Sequence, residues 1–144
     1  MLFTGAQKPF ALGMRAWLRE RRPELDREST VVISVGALGE GPLTYSRREG
    51  PLLGRRVHRQ LTRICSQIVE DGGHEAHPSV VHESGDAGAA VARGLPAITV
   101  SSPGTKLDPA SLDRAFEFCR ELAERVDAEV GPQLEARSPE GSAA

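Results

Sequence analysis

The side chains best able to hold a metal ion crowd into one stretch, where His74, Glu75, His77, His82, Glu83 and Asp86 follow one another. Imidazole nitrogens and carboxylate oxygens at this density could bind zinc, and a zinc-bound water could act as a nucleophile. The spacing is weak evidence for a site. His74 and His77 fall in a predicted loop after Gly72-Gly73, with no helix to aim both rings at one ion. The stretch is therefore expected to be a solvated loop beside a strand edge, with a metal centre at His74, His77, His82, Glu83 and Asp86 as the alternative. Ser34 and Ser84 have no base set beside them by any motif, so a serine hydrolase is not supported. His58 falls on the polar side of a predicted helix. Arg19, Arg21, Arg22, Arg55 and Arg56 are expected to be solvated helix faces that pair locally with Glu.

Strands and helices that could position these residues alternate along the chain. Leu2 to Thr4 predicts a short strand, and Ala11, Met14, Trp17 and Leu18 recur at helical spacing until Arg19-Glu20-Arg21-Arg22-Pro23 stops the helix. Thr30 to Val35 is β-branched and apolar almost throughout, which predicts an interior strand covered on both faces. Leu53, Val57, Leu61, Ile64, Cys65 and Ile68 form one helical stripe with Gly72-Gly73 as its exit. Val80-Val81 and Ala97 to Val100 predict two further strands, with a short helix from Ala87 to Arg93 between them. Asp108 can cap and Pro109 can open a last helix. Its apolar face is Leu112, Ala115, Phe116, Cys119, Leu122, Ala123 and Val126. The alternation predicts an α/β fold, with helices layered on a mostly parallel central sheet.

Three blocks in this framework read together. The first is Leu2 to Lys8, with Gly5-Ala6-Gln7-Lys8 and then Gly13; the second is Val32 to Gly39. The third is Gly85-Asp86-Ala87, running into Arg93-Gly94-Leu95-Pro96-Ala97. In order and context they resemble metallopeptidase family twenty-eight, the di-zinc aminopeptidases, whose blocks read GAEE, NxDxxG, and SDHxxF leading into GxPA, followed by HTPxD. The resemblance runs from Met1 to about Val130 and implies a partial zinc-exopeptidase (phosphorylase/hydrolase-like) fold. It places the family's general base at Gln7, zinc ligands at Lys8 and Gly36, and the last ligand in Ser101-Ser102-Pro103-Gly104. Ala87 stands where the family has His, and Asp86 matches the neighbouring Asp.

At each matched position the chemistry is missing. A glutamine amide can bond a water but cannot take its proton. A lysine ammonium repels a dication by on the order of several kcal/mol at contact range, even at an effective dielectric near 20. Glycine offers only backbone, and no histidine follows His82. The degenerate positions Gln7, Lys8, Gly36, Ala87 and Ser101 thus predict no catalytic residue and no cofactor, with zinc only under the alternative. Asp86 is expected to cap a helix or form a turn.

With 144 residues, 39% of them hydrophobic, the chain can bury one core. It is expected to form a single α/β domain over residues 1–134, resembling the C-terminal half of a zinc aminopeptidase, with a disordered tail over 135–144. The family's earlier ligand-bearing strands have no counterpart, so a truncated product or a fragment of a split peptidase gene is a further expectation. A formal charge of -2 gives no field to draw in nucleic acid or an anionic membrane. Cys65 and Cys119 are expected to be buried thiols, and the lack of a leader or apolar run predicts a cytoplasmic protein. An inactive aminopeptidase-like scaffold is the leading expectation, with an active metal-dependent aminopeptidase or hydrolase as the alternative. Sheet left uncovered by the missing strands should pair with another copy or a partner chain.

Overall fold

The computed structural model describes residues 2–5 and 10–137, with side chains as far as 129. The elements run α1 (Leu12–Arg21), β1 (Val32–Leu38), β2 (Thr44–Glu49), β3 (Arg55–Arg56), α2 (Arg59–Glu70), β4 (His77–Val81), α3 (Asp86–Ala92), β5 (Ala97–Ser102) and α4 (Pro109–Arg137). The α/β class stands, but the sheet is mixed rather than mostly parallel. β1 pairs parallel with β5, and β2 parallel with β4, while β2 meets β5 and β3 antiparallel. The reversal comes from β2, a strand that the sequence pattern does not predict. β4 follows one edge of β2 from Thr44 to Glu49, so β5, at Thr44 and Tyr45, and β3, at Arg48 and Glu49, divide the other edge.

β1 is not an interior strand. Among the described residues it pairs only with β5, and of its residues only Ser34 is buried while Val35 is half exposed. Leu2 to Thr4 joins no strand. The Thr4 side chain turns instead to α3.

Helices cover both faces of the sheet, because side chains along β5 alternate between them. Ile98 and Val100 enter a core with α2 and α4, built on Ile64, Ile68, Phe118 and Leu122. Each of those large side chains, fully buried, contributes about 1.5–3 kcal/mol. Ala97 enters the opposite core with α1 and α3, where Ala11, Ala87, Ala89 and Ala90 surround Met14, Leu18 and Leu95. Small side chains bring backbones close there. A Cβ on Gly13 would stand 2.1 Å from the Gly5 carbonyl oxygen, so only glycine fits.

α2 begins later than its stripe suggests. Leu53 is exposed in the turn before β3, Arg55 and Arg56 are strand residues, and His58 is the N-cap, its Nδ1 accepting from the Gln60 N–H at 3.4 Å. The predicted exit holds, with Gly72 at a φ of +80°. Asp108 caps α4 as expected, accepting from the Ala110 N–H at 3.1 Å.

The buried face of α4 is rotated from the predicted one: Ser111, Ala115, Phe118, Leu122 and Val126 point inward, while Leu112 and Phe116 are exposed. Phe118 wins because it stacks on Tyr45 of β2, ring centroids 6.3 Å apart, and takes the edge of His74. The α4 backbone stays helical past 134, through Gly131 and Pro132 to Arg137. Proline there forfeits one hydrogen bond without ending the helix. The rest of the predicted tail lies outside the described residues.

Candidate functional site

Of the positions that carry the aminopeptidase resemblance, Gly36 and Ser101 share the sheet face beneath α1 and α3. Ser34 and Gly36 on β1 and Thr99 and Ser101 on β5 share that face with the apolar Val32 and Ala97. A Cβ on Gly36 would stand 3.1 Å from the Ser101 Cβ and 3.3 Å from the Thr99 methyl carbon. A side chain starting at 36 would therefore have to push these neighbours aside by a few tenths of an ångström. Thr44 donates to the Ser101 carbonyl at 3.0 Å, and where the β2 ladder shifts register the Ser46 hydroxyl accepts from the Thr99 N–H at 2.9 Å.

Beyond this hydroxyl-rich strip lies a residue that the sequence reading does not single out. Glu49, at the end of β2, is 2% exposed, and neither carboxylate oxygen has a hydrogen-bond partner among the described residues. Burial pushes its carboxyl above the ordinary value, and Ser46 and Thr99, close by but outside hydrogen-bonding geometry, offset this only in part. It lies under α3, where a Cβ on Gly88 would be 3.8 Å from its Oε2. A carboxyl so raised can hold a proton at higher pH than usual. Sealed beneath α3, it meets no substrate from solvent.

Asp86 is the first residue of α3 and not its cap, a place that Gly85 takes. The carboxylate takes a 2.5 Å hydrogen bond from Thr4 instead, while Oδ1 is buried without a partner among the described residues. The first block is thus tied to the third. Ala87 is fully buried in the alanine core and serves packing. Gln7 and Lys8 lie outside the described residues.

The loop histidines are occupied separately. His74 Nε2 lies 2.9 Å from Glu121, whose carboxyl is held low chiefly by its hydrogen bond with Arg125. His77 is exposed on β4, 4.0 Å from Glu75, and His82 and Glu83 are exposed beyond the strand end. Among the described residues no three histidine, cysteine or acidic side chains gather around a point that could hold an ion. Cys65 and Cys119 are unpaired thiols, pushed by burial to about 12 and about 11. No helix among the described residues is long and apolar enough to cross a membrane. No protein-family model matches the chain, and neither does any curated protein.

Proposed function

We propose that this chain keeps an aminopeptidase-like framework whose hydrolytic centre is closed, and that it acts by binding rather than by cleavage. The observation that carries this reading is the contact of Gly36 with Ser101 and Thr99, 3.1 and 3.3 Å from where a Cβ would stand. A carboxylate ligand at 36 and an imidazole at 101 would both need the space that this contact fills. The replacement of a base by Gln7 and of a ligand by Lys8 supports it from the sequence side.

The test is to incubate the purified protein with zinc, dialyse it, and measure both metal content and hydrolysis of a chromogenic aminoacyl reporter. The expected result is substoichiometric zinc and no chelator-sensitive hydrolysis. About two equivalents of retained zinc, as a two-metal hydrolase requires, together with cleavage that a chelator abolishes, would overturn the proposal.

A further inference from the structure

The outer end of the sheet carries an arginine groove. α2 covers β2 but stops short of β4, which leaves a cleft of about 1420 Å3 between them. Its walls bear Arg47, Arg48, Arg56, Arg59, Arg63 and His58, and no acidic side chain lines it. Arg63 is held by Glu129 at 2.8 Å, and Arg48 donates to the Leu53 carbonyl at 2.7 Å. The guanidinium groups of Arg47, Arg56 and Arg59 have no partner among the described residues and are exposed. Arg59 is also the first residue of α2, whose first turn has no acid, so the positive end of the helix faces cations of its own sign. Arg47, Arg56, Arg59 and the helix end are thus left wanting an anion.

The size and lining of the cleft define the ligand further. Small-molecule sites usually span about 300–1000 Å3, so this cleft suits an extended segment better than a metabolite. Within this mostly polar lining, Pro78 and Val80 of β4 are exposed and offer an apolar spot. Leu52 and Leu53 do not line it, but they are 92% and 84% exposed in the turn whose Leu53 carbonyl holds the lining residue Arg48. A single-stranded nucleic acid would stack its bases on exposed aromatic rings, and those leucines offer none. Of the lining residues, Tyr45 is buried and stacked on Phe118, which leaves the His58 imidazole as the one exposed aromatic ring. The formal charge of -2 also means that the positive field is local to the groove.

We propose that this groove binds an extended acidic peptide with interspersed apolar side chains. Its carboxylates engage the forks of Arg47, Arg56 and Arg59, and its apolar groups rest on Val80 and the Leu52-Leu53 turn. The inference names a partner class for the binding role and rests on that reading. Zinc content and hydrolysis test the role, whereas peptide binding tests the groove, so the two can fail separately.

A fluorescent peptide of alternating Glu and Leu, titrated with the full chain and followed by anisotropy, should bind saturably and more weakly as salt rises. Arg56→Glu combined with Arg59→Glu should weaken binding by at least roughly tenfold. Val80→Asp should weaken it independently, and because all three positions are exposed, both variants should stay folded, with melting curves as cooperative as the parent's. A single-stranded oligonucleotide or inorganic polyphosphate should bind less tightly than the peptide. The proposal is overturned if no saturable binding occurs, if a Lys-Leu peptide binds as well, if the oligonucleotide or polyphosphate binds more tightly, or if the charge-reversed variant binds unchanged.

Discussion

Replacing Glu49 with methionine, which is unbranched, similar in length and uncharged, should stabilise the fold at neutral pH. The wild-type carboxyl is 2% exposed and neither oxygen has a hydrogen-bond partner among the described residues. A buried polar group left unpaired costs about 1–3 kcal/mol, and more when charged. Burial raises the pKa of this group in the folded state. The folded protein therefore binds the proton more tightly than the unfolded chain. The stability contribution is complete below the unfolded value and is lost as pH rises through the raised folded value. Glu49→Met removes that loss, so variant and parent should diverge as pH climbs above the ordinary carboxylate range. The gain at neutral pH should be about 1–3 kcal/mol, or roughly 3–10 °C in Tm for a chain of this length. Urea unfolding of both proteins, from acid to neutral pH, gives the two curves directly. If the variant is less stable at neutral pH, or the curves stay parallel throughout, the carboxylate has a partner in solution and the reasoning fails.

Gly36→Asp sets a side chain against Ser101 and Thr99, and it should destabilise the fold by about 1–3 kcal/mol without conferring zinc retention, as thermal melting and metal analysis would report. A stable variant that holds zinc would mean the strands part readily at that point. On α4, Phe118→Ala should cost about 3–5 kcal/mol, whereas Phe116→Ala should stay within about 0.5 kcal/mol, and comparable denaturation midpoints for the two would contradict the helix rotation described above.

Helical stripes are legible in this sequence wherever apolar residues repeat on one face and a breaker follows. Met14 and Leu18, or Leu61, Ile64, Cys65 and Ile68, are buried as their spacing predicts. β2 is illegible for the converse reason. Among its fully or nearly buried positions are Ser46 and Glu49, and its other residues include two arginines, so no apolar alternation marks it as a strand. Missing β2 hides the sheet's reversal, the buried carboxyl and the arginine groove together. That groove is assembled from β2, β3, α2 and β4, and no contiguous stretch encodes it. Phe116 and Phe118 are equally apolar, and only contact with Tyr45 and His74 decides which turns inward. Within the candidate site, motif letters single out Gly36, Ser101 and Asp86. They carry no information about the bond from Thr4 or about Glu49, which depend on how β2 and α3 pack.

Methyl groups shield little surface, so the layer of α1 and α3 is anchored far more lightly than the layer of α2 and α4. Such a layer should lift as a unit well before the rest of the molecule melts, and its amides should exchange with deuterium earlier than those of α2. The interior acid sits just under it. Its proton would then come and go at the tempo of that lifting, minutes apart if the layer is firm and milliseconds apart if it is loose, instead of at the diffusion-limited tempo of a surface carboxylate.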